Sequence, residues 1–427
     1  MKPFGKLVAG IGASVVLALG SAGAAQAQKV TLDVLYAQPG FAKYHEPIAQ
    51  AFMKAHPDVE IKFRAPAKDY DEGHQAMLRA AVTNQLPDIY FPGFHLLPEL
   101  AATLEKRGQI IDLGPRLAAE PAAWRSENYT DSVIKLGQVK GKQYGLAVNA
   151  SLPIMYFNTD LVKKAGGDPA KMPDTWDGVI ALAAKIAATS PGTAGMAYDV
   201  HVWPDTWLFQ ATIDEKGGRM LDDAGQIAFD NAVGRKSLGD YRRFVTEGKM
   251  AMLDFEASRQ QFIAGQTGLF FDTPARMRLI TDAVGSRFTI GTAVFPIDDK
   301  SKGGIPTGGC AIIMTTKDAA KQKAAWDYAK FITGPEAQAI IVEATGYLPL
   351  NKRASGPEFL GPFYAKNPNF RTVSLQVDRA LPWQGYPGDT VRIWRMQRDI
   401  INEVMRGSVA PDAGLTRMVT ETKAMMK

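Results

Sequence analysis

Aromatic side chains near the ends of strands, rather than nucleophiles or metal ligands, are the residues here best suited to handling a ligand. Tyr36 ends the first expected strand, Tyr70 falls in the loop after the second, and Phe94 follows the third. A ring so placed can stack on the C–H face of a sugar while polar neighbours take its hydroxyls. The plainer alternative for each is packing within its own domain. His95, beside Phe94, reads as a solvated loop residue. Trp203 and Trp207 are four apart in His201-Val-Trp-Pro-Asp-Thr-Trp207. They suit either the inward face of a helix starting at Pro204 or a stacking platform. Asp272 and Thr273 end a later strand, where they are either acceptors for ligand hydroxyls or a polar strand-to-turn junction. Trp383 and Tyr386 lie in Leu381-Pro-Trp-Gln-Gly-Tyr-Pro387, a loop too apolar to face water without a packing partner or a ligand.

Covalent and metal chemistry have less to rest on. The sequence holds no His-Glu-x-x-His, Gly-x-Ser-x-Gly, Gly-x-x-x-x-Gly-Lys or Cys-x-x-Cys. Asp69, Asp71, Glu72 and His74 cluster irregularly and read as a solvated loop, not a metal site. Cys310, the single cysteine, excludes an intrachain disulfide and reads as a small buried residue at the start of a strand. A hydrolase with paired carboxylates is left open by the motifs, so an extracytoplasmic carbohydrate-active enzyme is the rival to a binding protein. No cofactor and no metal are expected.

The elements that must position these residues alternate early in the chain. Residues 30–95 read as βαβαβ, with strands over Val30–Tyr36, Val59–Phe63 and Pro87–Phe91. One intervening helix carries Ile48, Phe52 and Ala55 on a face, and the next, over 75–85, carries Met77, Leu78, Ala81 and Val82 at helical spacing. This alternation builds a parallel sheet with right-handed crossovers. Later strands are expected at Tyr144–Val148, Ile154–Phe157, Thr267–Asp272, Phe288–Phe295 and Ile305–Met314, the last interrupted at Gly308-Gly309. Asp174 is placed to cap a helix running through Ala188. Gly334 and Pro335 read as a C-cap glycine and a first-turn proline between two helices. Residues 230–265 and 389–426 are helix-rich.

The first 27 residues read as an export signal. Lys2 and Lys6 precede an uncharged run ending in Ala25-Gln26-Ala27, a small-x-small cleavage pattern. Its apolar stretch, Leu7–Leu19, is short of the roughly 20 residues a membrane span requires. Cleavage after Ala27 puts the mature protein in the periplasm and lowers the formal net charge from +5 to +3. With no block of five basic residues, nucleic-acid binding has no electrostatic basis. The 427-residue length, 46% apolar and 22% charged, suits two globular domains.

Two stretches carry a family signature: Gly145-Leu-Ala-Val-Asn-Ala-Ser-Leu-Pro-Ile-Met-Tyr-Phe-Asn-Thr-Asp-Leu-Val-Lys-Lys-Ala-Gly166, followed by Pro173-Asp-Thr-Trp-Asp, and Thr345-Gly-Tyr-Leu-Pro-Leu350. They resemble the extracellular solute-binding proteins of carbohydrate-type ABC importers (family 1), most strongly the glycerol-3-phosphate-binding members. Phe363-Tyr-Ala-Lys-Asn-Pro368 resembles those members too. The resemblance implies an α/β, two-lobe periplasmic-binding-protein fold with three interlobe crossings and a ligand cleft between the lobes. Carried onto this chain, the crossings fall near Asn149–Ser151, Ser286-Arg287 and Thr345–Pro349. Lobe 1 is then 28–149 with 287–345, and lobe 2 is 150–286 with 346–427. The implied function is capture of a sugar, polyol or glycerophosphate-type solute by lobe closure and its delivery to ABC permease subunits in the inner membrane. The protein is expected to act as a monomer, and not as an enzyme. A ligand must favour the closed form by roughly 5 kcal/mol to turn a mostly open population into a mostly closed one. A ligand sensor using the same closed form is a further alternative.

The resemblance adds site residues. Ser151 matches a ligand-contacting serine, and Tyr347 matches a ligand-contacting tyrosine in Thr-Gly-Tyr-Leu-Pro. Gly308 and Gly309 resemble a glycine pair whose backbone approaches ligand, with a strand bulge as the alternative. One departure stands out. The relative's phosphate-binding arginine has no counterpart in register around Gly385-Tyr386-Pro387-Gly388; the next arginine is Arg392, inside a helix. That argues against glycerol 3-phosphate itself and towards a sugar, a polyol or a larger glycerophosphodiester.

Overall fold

The computed structural model describes residues 29–198 and 206–426. The expected signal segment with its cleavage site, and Trp203, lie outside the described residues.

Strand β1 (Val30–Leu35) pairs in parallel with β2 (Val59–Phe63) and β3 (Ile89–Tyr90), Val30 lying opposite Val59 and Val34 opposite Ile89. Alternation in the sequence explains the register. Leu32 and Val34 face Ile48 and Phe52 of the helix Ala42–Ala55. Leu35 faces the other way, towards Met77 and Ala81 of the helix Tyr70–Thr83 and Leu100 and Leu104 of the helix Leu97–Lys106. A one-residue slip would turn each set to the wrong side, so burial of both faces fixes the pairing. Val82 does not join its helix's inward face: successive helical residues point about 100° apart, and next to the buried Ala81 it is left 66% exposed. Ala55, in the last turn of its helix, is also exposed.

After a hairpin of β4 (Gln138–Val139) and β5 (Lys142–Gln143), the chain runs through β6 (Gly145–Ser151) and leaves the first sheet. A second sheet follows, built from β7 (Ile154–Asn158), β8 (Ala194–Tyr198), β9 (Thr267–Asp272) and β10 (Ile290–Val294) in the order β10-β7-β9-β8. The chain returns to the first sheet as β11 (Ile305–Met314), antiparallel to both β3 and β6, and β12 (Ala380–Pro382) pairs in parallel with the start of β11. The first sheet is therefore mixed rather than wholly parallel. β11 begins at the junction of the lobes and runs away from it, whereas β3 runs towards it.

Two crossings differ from expectation. β10 pairs with β7 from Ile290 opposite Asn158 to Val294 opposite Ile154, so the second crossing follows Val294 and does not fall at Ser286-Arg287. The third follows Asn351, whose side-chain amide still bonds Asn128 and Thr333 of the first lobe, while Ala354 already belongs to the second core. Two caps differ as well. Thr175, not Asp174, caps the helix Trp176–Thr189, and the Asp174 carboxylate instead takes Lys300 at 2.8 Å. Gly334 is extended (φ −73°) and serves as N-cap of Pro335–Ala344, the preceding helix being closed by Thr333.

Trp176 is fully buried in the second core, with the ring centroids of Tyr198, Phe244, Phe271 and Phe295 5.0–5.4 Å away. The C-terminal helices Thr390–Arg406 and Pro411–Met425 pack on Ala232–Thr246 in this same lobe. Among the described residues, no helix is long and apolar enough to cross a membrane. Replacing Trp176 with Ala should cost about 3–5 kcal/mol in urea unfolding, through lost burial and the cavity left behind. A loss under about 1 kcal/mol would contradict its central place in this core.

Candidate ligand-binding cleft

Three chain crossings are stitched together where the sheets meet. Gly308 and Gly309 of β11 lie opposite Ser151 and Ala150 of β6, and the Leu348 N–H bonds the Ala150 carbonyl at 2.9 Å. Gly309 has φ +121°, and a β-carbon there would come within 2.2 Å of the Asn149 carbonyl oxygen. Only glycine combines that conformation with that approach. The ladder shifts register between Cys310 and Ala311, one residue past the glycine pair. From the second lobe, the Thr273 hydroxyl meets the Ser151 hydroxyl at 2.7 Å, and the Tyr156 hydroxyl donates to the Thr273 carbonyl at 2.8 Å.

Above these contacts lies a cleft that is partly open to solvent. Trp207 and Trp383 form adjoining walls with ring centroids 6.0 Å apart. Trp207 lies over Gly308, on which a β-carbon would come within 3.3 Å of the indole, and donates from Nε1 to the Pro306 carbonyl at 3.0 Å. Tyr70 and Tyr347 line the first-lobe side. Among the described residues Asp272 is the one carboxylate in the lining, and Arg276 and Arg398 bring two guanidinium groups. Arg398 also donates to Asp399, at 2.8 Å from Nη2. Buried polar atoms of two lining side chains, Asp272 Oδ2 and Trp383 Nε1, find no hydrogen-bond partner among the described residues. Such groups cost free energy until something bonds them. The Tyr70 hydroxyl lies beside the Cys310 thiol and the Tyr347 hydroxyl.

Nine residues singled out in the sequence share this cleft: Tyr70, Ser151, Trp207, Asp272, Thr273, Gly308, Gly309, Tyr347 and Trp383. Tyr70 stands at the first position of a helix capped by Asp69, not in a loop. Three others lie elsewhere. Tyr36 is buried and stacked on His45 at 4.2 Å. Phe94 is buried in the core beneath the helix Leu97–Lys106. Tyr386 is buried in the second core, its hydroxyl accepting from Gln397 at 2.8 Å. In each case the backbone turns the ring towards its own lobe. His95 is 3% exposed, against the expectation of a solvated loop residue.

The acidic cluster is likewise no solvated loop. Asp69 caps the helix, and Asp71 and His74 are buried in its first turns. Burial, then the neighbouring Asp69, pushes the Asp71 carboxyl up to about 6. Cys310 is buried, and burial pushes its thiol up to about 12, as suits an inert core residue. Among the described residues, no group of three or more His, Cys, Asp and Glu could hold a metal ion.

Sequence reasoning missed Gln38, Arg276 and Arg398. Gln38 lies in the turn after β1, so the strand-end rule that picked Tyr36 could have found it. Arg276 stands three residues beyond Thr273, within the same turn. Arg398 carries no local signal, because only the docking of the helix Thr390–Arg406 brings it in. Arg392 is in that helix as expected and lines an outer groove with Arg395, next to the cleft, with Arg398 shared by both.

Burial is the main force that pushes the Asp272 carboxyl from 3.8 up to about 7, while Arg276 and the Thr273 N–H oppose it. The folded protein therefore holds this proton more tightly than the unfolded chain does. Its contribution to stability is complete below the unfolded value of 3.8 and is lost as pH rises through 7. Asp272→Asn should stabilise the ligand-free protein by on the order of 1–3 kcal/mol more at pH 8 than at pH 4. Thermal unfolding of both proteins at the two pH values checks this; a variant no more favoured at pH 8 than at pH 4 contradicts it.

Residues 47–372 match the profile of the family described as bacterial extracellular solute-binding protein. The sn-glycerol-3-phosphate-binding periplasmic protein UgpB of Agrobacterium fabrum is 24% identical over 296 residues, 67% of this chain and 68% of its own length. In fold the chain is similar to UgpB from Mycobacterium tuberculosis, crystallised in complex with glycerophosphocholine. The TM-score is 0.80 and the identity 20%, over 92% of this chain and 98% of that one. It is also similar to maltose-bound MalE3 of T. maritima, with TM-score 0.79 and 16% identity over 93% and 100% of the two chains. The two-lobe fold, the interlobe cleft and the profile match over most of the sequence lead to one conclusion: the chain belongs to the bacterial extracellular solute-binding proteins.

Proposed function

We propose that the cleft captures a glycerophosphodiester in the periplasm and that the loaded, monomeric protein delivers it to its ABC permease. The observation that carries this reading is the meeting of Arg276 and Arg398 with Asp272 and two tryptophans in one lining. A guanidinium fork matches phosphate oxygens in pairs. The unpartnered Asp272 oxygen takes a glycerol hydroxyl, and Trp383 Nε1 bonds a further oxygen. The indole faces cover the carbon backbone and head group. Groups from both lobes thus converge on the solute, and only the closed form satisfies them all. The two arginines supply the cations that the loop around Pro387 lacks. The names of the Agrobacterium and Mycobacterium relatives favour the same chemical class.

Capture is favoured over turnover by the lining. Both common glycosidase geometries need two carboxylates, and among the described residues the lining holds Asp272 alone.

Calorimetric titration with glycerophosphocholine, sn-glycerol 3-phosphate and maltose tests the reading. Glycerophosphocholine should bind and be recovered intact, adding about 2.7 kcal/mol of stability at a hundred times its Kd. Arg398→Ala should weaken it about tenfold or more, in line with loss of a charge-assisted bond. Binding of maltose without glycerophosphocholine, or recovery of cleaved diester, would overturn the reading.

A further inference from the structure

We propose that His95 is a positioning residue for the cleft: carried by the first lobe, its imidazole fixes the Trp383 indole of the second lobe as a ligand wall. The inference rests on reading the cleft as the solute site. His95 lies just beyond β3, in a turn held by the Phe94 N–H on the Gly309 carbonyl (3.1 Å) and the Leu97 N–H on the Gly93 carbonyl (3.1 Å). Its ring lies on Trp383 with centroids 3.6 Å apart and planes 31° apart. Trp383 in turn stacks on Trp394 at 5.9 Å and 21°. His95 also meets Trp394 directly, with centroids 5.3 Å apart, so the three rings form one cluster across the two lobes.

The Trp383 backbone belongs to the opposite side. Gln210, on the helix Trp207–Asp214, donates from its side chain to the Pro382 carbonyl at 3.0 Å and accepts from the Gln384 N–H at 3.0 Å. The Gln384 side chain accepts from the Leu221 N–H at 3.3 Å. At Gly385 a β-carbon would come within 3.0 Å of the His95 carbonyl, so the loop seats closely against this turn. Trp383 therefore follows a strand paired to β11 of the first sheet, is tied on its flanking main chain to Gln210 of the second lobe, and has its ring backed by His95 from the first lobe and Trp394 from the second.

This arrangement links wall and closure. Separating the lobes draws His95 off the indole, and the wall then loses the surface that holds its angle. Burial keeps the His95 imidazole neutral, well below its usual range, so the contact is a stack of uncharged rings. The ring acts through Trp383 and not on the solute, since His95 is absent from the cleft lining.

The test combines titration of glycerophosphocholine with near-ultraviolet circular dichroism of the ligand-free protein. His95→Leu should weaken binding about three- to tenfold, the size of an aromatic pair, and diminish the tryptophan bands. His95→Phe should restore both. In a Trp383→Phe background, His95→Leu should change affinity by less than about twofold, because the residues act as one unit. Independent, additive losses in the double variant, or unchanged tryptophan bands in His95→Leu, would overturn the proposal. If His95→Leu does not fold, His95→Gln carries the same readouts in the same directions. If the wild-type protein does not bind glycerophosphocholine, the solute reading fails, and the dichroism of the ligand-free variants still decides the positioning role.

Discussion

The rest of the structure depends on the close approach of β11 to β6 at Gly309. Its φ of +121° and the 2.2 Å that would separate a β-carbon from the Asn149 carbonyl leave no room for another residue. Asn149 braces the same point: its side chain accepts from the Cys310 N–H at 3.1 Å and donates to the Tyr44 hydroxyl at 3.2 Å. Several features follow from this contact. Gly308 remains bare enough for Trp207 to lie on it, and the Gly309 carbonyl receives the Phe94 N–H and so sets the turn that carries His95. One tight crossing thus locates a wall of the cleft, its floor and the residue that backs the adjoining wall.

The cleft is built at the expense of the empty protein's stability. Each lobe has a core of its own, and the junction keeps polar atoms that neither lobe satisfies. Asp272 shows this most plainly, with one oxygen on the Thr273 N–H at 2.6 Å and the other unpartnered, in a place where burial disfavours its charge. A solute that donates to the free oxygen recovers part of that cost, and the recovery is available only at the closed junction. Binding energy and shape change are then one quantity, as a carrier requires.

Much of this was legible from short-range pattern. The alternation in Val30–Leu35 gave the strand, its two buried faces and the parallel start of the sheet, and the apolar loop around Trp383 announced a residue with somewhere to pack. Tyr36 and Phe94 show where the strand-end rule stops: position along the chain says that a ring is near the junction, but not to which side its backbone turns it. β10 was assigned to the wrong lobe because a strand's partner is a tertiary choice, and its own residues fit either sheet. Arg398 and His95 were beyond reach for the same reason. Arg398 reaches the cleft through the docking of a helix more than a hundred residues downstream of β9, and His95 is buried by a loop almost three hundred residues away in sequence.

The central claim is that two lobes close on one solute held from both sides. Small-angle X-ray scattering of the protein, with and without glycerophosphocholine at a concentration calorimetry proves saturating, measures it most directly. The account predicts a smaller radius of gyration in the saturated protein, with a single more compact population. A saturated protein whose scattering profile is unchanged from that of the empty one would contradict it.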